Sequence, residues 1–523
     1  MELNNLNQIE KATKAGRAEL FRIGTALLFI VAVMLFIDMQ PDPAGDKTML
    51  IIAAMIGGYM AMNIGANDVA NNVGPAVGSQ ALTMSGAILI AAIFESSGAL
   101  IAGGDVVSTI KKGIIDPALI TNTDTFIWIM MAALLSAAIW LNLATAVGAP
   151  VSTTHSIVGG VLGAGIAAAG FDIANWGKVG AIAASWVISP VLGGVIAAGF
   201  LYLIKRTITY RGDKIAAAKK VVPLLLMVMA WAFSTYLLLK GLKKIWKLDF
   251  VTAAAIGAGI SVFIYVIVRP MIARAASTLS NDKESVNSLF TVPLIFAAAL
   301  LSFAHGANDV ANAVGPLAAI NDAIVGGGVS SKAQIPLWVM LVGAVGISLG
   351  LALYGPKLIR TVGSEITELN KLRAFCIAMA ASITVIIASQ LGLPVSSTHI
   401  AVGGVFGVGF LREYLKTSYG GTLEDIKHHH ASEDSEAVEE FLKEYKAAPM
   451  DRKNELLQEL KSNSTKAHLT KKERKSLSKI YRQQLVKRSH VWRIAAAWII
   501  TVPASGAMAA ITYFTIRGMM LPG

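Results

Sequence analysis

Long apolar stretches recur along the chain and are separated by short polar segments. A helix needs about 20 mostly apolar residues to cross the hydrocarbon core of a bilayer. Stretches near that length fall at 21–38, 49–65, 82–102, 125–147, 156–171, 179–204, 220–239, 250–268, 289–305, 335–354, 373–391, 399–411 and 494–516. Some are short or interrupted by Gly, Pro and polar residues, so the pattern predicts an all-α polytopic membrane protein with about 12 transmembrane segments.

Composition agrees with a membrane protein. Of the 523 residues, 54% are hydrophobic and 15% charged, and the mean hydropathy is +0.61. An ordinary soluble domain carries about 25% charged residues. These values exclude a disordered chain, a globular enzyme with a water-facing surface and a small cytosolic binding module. One cysteine, Cys376, allows neither an internal disulfide nor a cysteine metal cluster.

The charged residues are unevenly placed. Of the 78 charged residues in the chain, 18 basic and 13 acidic ones lie between Arg412 and Arg493. Basic residues also gather before residue 23 and at 205–220. Because Lys and Arg favour cytoplasmic loops, we expect the N-terminus and the 412–492 block in the cytoplasm of a plasma membrane, the inner membrane in a bacterium. The basic loop 240–247 is external in this arrangement.

Two motifs occur twice. GANDVANNVGP at 65–75 returns as GANDVANAVGP at 306–316, identical at ten of eleven positions with an offset of 241. PVSTTH at 150–155 returns as PVSSTH at 394–399 with an offset of 244. Near-equal offsets indicate two whole repeats rather than two chance motifs.

The number of crossings between the copies sets their relative direction. The first motif ends the second apolar segment and its copy ends the ninth, an odd number of crossings later, so the repeats are expected to be inverted. Inverted repeats with discontinuous or re-entrant helices are typical of secondary transporters. The predicted organisation is a lead-in and first helix (1–48), transport repeat 1 (49–204), linker helices (205–287), transport repeat 2 (288–411), a cytoplasmic charged helical insertion (412–492) and a final transmembrane helix (493–523).

The first motif offers oxygen ligands inside apolar sequence. An aspartate at mid-bilayer costs at least about 2.5–3.5 kcal/mol, so such a residue normally faces an internal cavity. One carboxylate with flanking amides suits a small hard cation such as Na⁺ better than Zn²⁺. The candidate sodium ligands are Asn67, Asp68, Asn71, Asn308, Asp309 and Asn312. We expect Gly65, Gly74 and Pro75 to interrupt the helix; the alternative is an Asx cap in a tight turn.

The second motif offers hydroxyl donors at a helix start. The first-turn N–H groups of a helix lack internal partners and carry partial positive charge, which makes an anion cradle without arginine. Two opposed cradles suit a tetrahedral oxyanion, whereas Ser/Thr packing between close helices is the alternative. The candidate hydroxyls are Ser152, Thr153, Thr154, Ser396, Ser397 and Thr398.

Three further residues are candidate accessories. Glu95 is an intramembrane acid that can relay protons or hold a second cation, and the corresponding part of the second half has no acid. His155 and His399 end the hydroxyl motifs, and a structural hydrogen-bonding role competes there with a proton-transfer role.

The paired motifs resemble the inorganic phosphate transporter family of sodium- or proton-coupled carriers, over about residues 50–411. The resemblance implies a phosphate symporter, commonly dimeric, with phosphate and sodium held between two inverted halves. It puts Asn67, Asp68, Asn308 and Asp309 in the ion and substrate site, and the six hydroxyls where phosphate is held. Residues 77–83 resemble the sodium-coupled branch.

The predicted function is phosphate import driven by a sodium gradient. The alternatives are proton-coupled symport of phosphate, a metal–phosphate complex or sulfate, a passive channel or phosphate-sensing receptor, and more remotely an intramembrane hydrolase using Ser152 with His155. We expect phosphate, sodium, the lipid bilayer and a second copy of the chain as partners, and neither an organic cofactor nor a nucleic acid.

Overall fold

The computed structural model describes residues 2–43, 45–120, 122–147, 151–241, 248–326, 335–364, 369–416, 443–444 and 488–520. The helices of the N-terminal half are α1 (Glu2–Asp38), α2 (Lys47–Asn67), α3 (Ala70–Gly78), α4 (Met84–Ala102), α5 (Gly104–Lys112), α6 (Thr123–Ala146), α7 (Thr153–Ala169), α8 (Trp176–Ile204) and α9 (Lys214–Gly241).

The C-terminal half continues with α10 (Phe250–Ala275), α11 (Lys283–Leu289), α12 (Thr291–Asp309), α13 (Ala311–Val325), α14 (Leu337–Ser364), α15 (Lys371–Gln390), α16 (Ser397–Lys416) and α17 (Arg488–Met520). Within the described ranges these helices are joined without a β-strand, apart from a single bridge between Ile115 and Ala174. The all-α prediction is therefore confirmed.

Among the described residues, eleven helical segments are long and apolar enough to cross a membrane, and Thr153–Ala169 is a shorter apolar helix. The number is close to the one predicted. The segment formed by α12 and α13 is the most enclosed, whereas α1, α10 and α17 expose most of their apolar side chains. Apolar outer helices around a buried centre are what a multi-pass membrane protein presents to lipid.

The chain divides into two compact units, residues 1–407 with 492–523 and residues 408–491. Most of the predicted charged insertion at 412–492 lies outside the described residues, which include only 412–416, 443–444 and 488–492 of it.

Helices α6 and α7 form a hairpin whose outer ends lie together. The N–H of Asn175, after α7, donates to the C=O of Ile114, before α6, at 3.0 Å. The hairpin tip is the segment that carries the hydroxyl motif, of which Val151 onward is described and Pro150 is not. Because the chain reverses between α6 and α7, the first-turn N–H groups of α7 lie inside the molecule.

Helix α15 begins beside α11 and α12. The N–H of Leu372 donates to Asn287 Oδ1 at 3.1 Å, and Lys371 Nζ donates to Thr291 Oγ1 at 2.9 Å. After α15 the chain reverses at Gly392, which has a positive φ of 65° that glycine adopts without strain. The second hydroxyl motif follows this reversal and opens α16.

The first glycine of each GANDVAN motif serves helix packing. A Cβ at Gly65 would overlap the carbonyl oxygen of Ile347 in α14, and a Cβ at Gly306 would overlap that of Glu95 in α4. Hydrogen in place of a side chain therefore lets α2 lie directly on α14, and α12 on α4.

The helix interruption in each motif lies at a different place from the one predicted. Helix α2 continues through Gly65 to Asn67, and Gly74 and Pro75 lie inside α3. The α-helix is interrupted at Asp68 and Val69 in the first copy and at Val310 in the second. Close helix packing at the glycine holds the helix together there, so the break falls beside the carboxylate instead.

Candidate functional site

The amide that precedes each carboxylate ties the broken helix to a hairpin tip. Asn67 Oδ1 accepts the N–H of Val151 at 3.3 Å, and Asn308 Oδ1 accepts the N–H of Val395 at 3.3 Å. These two pairs are related by the offsets of the sequence duplication. Both amide oxygens already accept a backbone N–H. In this structure Asn67 and Asn308 therefore position the segments that carry the two hydroxyl motifs.

The nitrogen atoms of the same amides are also held. Asn67 Nδ2 donates to Thr145 Oγ1 at 2.9 Å, and Asn308 Nδ2 donates to Ser389 Oγ at 3.0 Å. Thr145 and Ser389 again correspond in the two halves, although they lie outside the motifs. The broken helix is therefore held to both arms of its hairpin.

The carboxylates accept hydrogen bonds from the hydroxyl motifs. Thr153 Oγ1 donates to Asp68 Oδ2 at 2.7 Å, and Thr398 Oγ1 donates to Asp68 Oδ1 at 3.0 Å. Ser397 Oγ donates to Asp309 Oδ2 at 3.2 Å. Asp68 thus contacts both hairpin tips, one from each half of the chain.

The amides three positions after the carboxylates contact the hydroxyls of the other half. Asn71 Nδ2 donates to Thr398 Oγ1 at 2.8 Å. Asn312 Nδ2 lies 3.0 Å from Thr153 Oγ1 and 3.1 Å from Thr154 Oγ1. All these side chains are buried. The structure therefore brings the predicted carboxylates, amides and hydroxyls of both motifs into one enclosed cluster.

Ser152 and Ser396 have a more limited place in the cluster. Each caps its helix: Ser152 Oγ accepts the N–H of His155 at 3.1 Å, and Ser396 Oγ accepts the N–H of His399 at 3.3 Å. A capping oxygen satisfies one first-turn N–H, so that N–H is withdrawn from the proposed anion cradle.

The two histidines of the hydroxyl motifs contact each other. Their ring centroids are 4.5 Å apart in an edge-to-face arrangement. Trp186 lies against His155 with centroids 3.8 Å apart, and Trp498 stacks on His399 at 3.5 Å. This four-ring group joins the two hairpins by packing. The His155 ring faces Trp186 while its backbone meets the Ser152 oxygen, which is not the arrangement of a nucleophile and its base.

One buried residue of the site was missed by sequence reasoning. His305 Nδ1 lies 2.7 Å from Glu95 Oε2, and its Nε2 lies 2.8 Å from Asp309 Oδ2. Asn72 Nδ2 donates to the other oxygen of Glu95 at 2.7 Å. The position that corresponds to His305 in the first half is Ile64, so a search for duplicated residues passes over it. Its signal was a histidine within an apolar stretch, directly before the repeated motif.

Oxygen atoms for a cation are available beside this histidine. Ligand atoms of Asp68, His305 and Asp309 all lie within 4.8 Å of one another. Among the described residues, Asp309 Oδ1 and Asn312 Oδ1 are buried acceptors without a hydrogen-bond donor. A buried polar group left unpaired costs about 1–3 kcal/mol, more when it is charged. A hard cation bound beside either oxygen would give it a partner, and carboxylate and carbonyl oxygens are the ligands that such ions prefer.

The chain is similar to known membrane transport proteins. Residues 64–509 match the model of the phosphate transporter family. A Helicobacter pylori strain J99 protein named "Putative phosphate permease" is 52% identical over 99% of both chains. A Pyrococcus abyssi protein with the same description is 40% identical, covering 69% of this chain and 89% of its own.

A solved structure is similar over almost the whole molecule. "The sodium-dependent phosphate transporter" matches with a TM-score of 0.74 and 31% identity, covering 91% of this chain and all of that one. These relatives are permeases and transporters rather than enzymes, so the hydrolase alternative is wrong. This multi-pass membrane protein belongs to the phosphate transporter family.

Proposed function

We propose that the chain imports inorganic phosphate by secondary active symport, driven by sodium moving down its gradient. The observation that carries this proposal is the pair of buried, unpaired oxygens on Asp309 and Asn312 beside the hydroxyls of both hairpin tips. Oxygen ligands for a cation and hydroxyl donors for an anion share one enclosed cluster. The name of the similar solved structure supports sodium as the coupling ion.

Electrostatics favours a bound cation at the site. Asp68, Asp309 and Glu95 are all buried, with His305 between the last two. Two like unit charges about 5 Å apart repel by about 3 kcal/mol at an effective dielectric constant of about 20. Phosphate adds at least one more negative charge. Cations that enter first or together with phosphate offset this repulsion, and this couples the two movements.

The contacts of Asp68 suggest the order of binding. Its carboxylate now accepts hydrogen bonds from Thr153 and Thr398. Sodium at Asp68 competes with those hydroxyls for the carboxylate oxygens. A hydroxyl released in this way donates to a phosphate oxygen instead. We infer that sodium binds before phosphate.

The proposed roles follow from these contacts. Phosphate is held by the hydroxyls of Thr153, Thr154, Ser397 and Thr398 and by the N-termini of α7 and α16, with Ser152 and Ser396 shaping the helix starts. Sodium is held by Asp68, Asp309, Asn71 and Asn312. Asn67 and Asn308 position the two tips. The proposed repeats, 49–204 and 288–411, enter the membrane from opposite sides, with the N-terminus in the cytoplasm and two copies in a dimer.

The test is radiolabelled phosphate uptake into liposomes that contain the full chain, driven by a Na⁺, Li⁺ or proton gradient. We expect uptake to require sodium, and sulfate to compete poorly. Asp68→Asn should lower uptake by at least about tenfold, because an amide lacks the charge that attracts the cation. The control is Asp172→Asn, at an exposed position in the short 3-10 helix Phe171–Ile173. Uptake by the wild-type chain that ignores the cation gradient would contradict the proposal.

A second candidate is proton-coupled symport. It is favoured by His305, whose two ring nitrogens face carboxylates, an arrangement that can accept and pass a proton. Uptake driven by a pH gradient in sodium-free buffer, and lost in His305→Gln, would support this candidate over sodium coupling.

A further inference from the structure

A cavity of about 690 Å³ lies between α1, α2, α6 and α14. Its outer part is lined by Glu19, Arg22 and Lys357, and its inner part by Asn63, Ala66 and Thr145. Exposure falls along this line, from the half-exposed Arg22 to the buried Asn63 and Ala66. The cavity is therefore open near Arg22 and extends to buried residues of α2.

The inner end adjoins the candidate site. Thr145 lines the cavity, and its hydroxyl accepts the hydrogen bond from Asn67 Nδ2 at 2.9 Å. Asn67 is the residue directly before Asp68. Asn67 therefore links Thr145 at the cavity wall to the carboxylate cluster, and it also accepts the N–H of Val151 before α7.

The wall between the two ends carries polar groups among its apolar side chains. Asn142 Nδ2 donates to Asn63 Oδ1 at 3.4 Å, and Asn63 Nδ2 donates to the carbonyl of Tyr59 at 2.9 Å. The phenol of Tyr354 faces the same space. Amide and phenol groups replace part of the hydration shell of a passing ion, which an apolar gap between lipid-facing helices does not do.

The charged residues that line the outer end are Glu19, Arg22 and Lys357, two basic and one acidic. Arg22 donates to Glu19 Oε2 at 3.1 Å, and Lys357 Nζ donates to the backbone carbonyl of Ala146 at 3.1 Å. A mouth with excess positive charge concentrates anions, and water-excluding walls strengthen the effect.

The opposite face is closed by contacts of α5. Lys111 forms a buried ion pair with Asp322 of α13, and Asp105 pairs with Lys240 of α9. Thr109 Oγ1 donates to the carbonyl of Gly392 at 2.7 Å. The structure thus has a passage toward the site from the end near Arg22 and packed ion pairs at the end near α5.

We propose that this cavity is an anion-selective vestibule through which phosphate passes between the central site and the membrane face near Arg22, with Arg22 and Lys357 selecting for negative charge. The inference deepens the proposed function and rests on it for the identity of the anion. Its own content is that the space is aqueous and favours anions, which is measured without transport.

The test uses thiol labelling at the vestibule wall. Cys376 is fully buried, with 0% exposed, so the wild-type chain offers a low background. The Asn142→Cys chain is treated in liposomes with an anionic reagent, sulfonatoethyl methanethiosulfonate, or a cationic one, trimethylammonioethyl methanethiosulfonate. We expect faster labelling by the anionic reagent. The preference should fall by about threefold for each charge removed in Arg22→Gln and Lys357→Gln, and in strong salt.

The matched control is Arg17→Gln, an exposed α1 position that does not line the cavity. It should leave the preference unchanged. Cys376 that remains unlabelled in each variant reports an intact fold. A thiol at position 142 that neither reagent reaches, as in a lipid-filled gap, would overturn the proposal, and so would a preference that Arg22→Gln and Lys357→Gln leave intact. Phosphate uptake that does not depend on sodium would contradict the proposed function but not the vestibule, which the labelling measures independently.

Discussion

Thr398 Oγ1, at the start of α16, donates to the carboxylate of Asp68 in the first GANDVAN motif at 3.0 Å, although 330 positions separate them in sequence. The same hydroxyl accepts the amide of Asn71 at 2.8 Å. One side chain of the second half thus fixes two candidate ion ligands of the first. Binding at the site is in this way sensitive to how the two halves are placed.

Thr398→Val removes both of these hydrogen bonds with little change of volume. Hydrogen bonds to charged groups contribute about 1.5–3 kcal/mol, so we expect the half-saturating phosphate concentration to rise by about tenfold or more. Thr398→Ser keeps the hydroxyl and should stay near wild type. The control is Thr384→Val, whose hydroxyl donates to the Ala380 carbonyl within α15 at 2.8 Å. Equal kinetics in Thr398→Val and Thr384→Val would remove Thr398 from the site.

Glu95→Gln tests the contribution of the buried acid behind His305. Removing a carboxylate that lies one imidazole away from Asp309 weakens the attraction for a cation at that aspartate. We expect the half-saturating sodium concentration to rise by about threefold or more, since a unit charge at this range still contributes several tenths of a kcal/mol in a high dielectric. Sodium titration of phosphate uptake measures it.

The comparison for this variant is Glu284→Gln, an exposed residue in the first turn of α11. Its sodium titration should match the wild type. A Glu95→Gln chain that keeps its sodium dependence and loses its response to pH would instead place Glu95 and His305 in proton coupling.

Duplication made much of the site predictable. A residue that recurs at a fixed offset is recognisable without coordinates, and Asp68, Asn71, Thr153 and their copies do converge. Apolar length alone predicted about 12 membrane helices, close to the eleven found among the described residues, because a bilayer imposes that length on each helix.

The role of His305 and the positions of the helix breaks could not be predicted, because both depend on which helices pack together in the fold. His305 has no copy in the first half, and it acquires Glu95 as a partner only when α4 packs on α12. The sequence pattern predicts helix interruptions at Gly65, Gly74 and Pro75, whereas the helix is interrupted at Asp68 and Val69. Whether a glycine ends a helix or lets it pack closely depends on the neighbouring helix. At Gly65 that neighbour is α14, which is far away in sequence.

The buried pair of Lys111 and Asp322 predicts a stability effect at the end near α5. Both side chains are almost fully enclosed. Breaking a buried ion pair by removing one partner costs about 3–5 kcal/mol, whereas replacing both is often close to neutral. We expect Lys111→Met to lower the apparent Tm in detergent by about 5 °C, and Lys111→Met with Asp322→Leu to recover most of it.

Lys178→Met, at an exposed position in α8, serves as the control and should leave the Tm unchanged. If the double variant is as unstable as Lys111→Met, the two residues act independently and the pair does not hold α5 to α13.

Gly65→Ala tests whether close approach of α2 and α14 holds Asp68 in place. The added methyl group overlaps the backbone carbonyl of Ile347, which cannot move as a side chain does. The two helices must separate, at a cost of about 1–3 kcal/mol or more. Because α2 ends at Asn67, the separation also shifts Asp68 away from Thr153 and Thr398. We therefore expect a lower Tm together with weaker sodium affinity. Gly259→Ala, where a Cβ meets open space in α10, should change neither property. A Gly65→Ala chain with lower Tm but unchanged sodium affinity would show that the glycine serves packing alone.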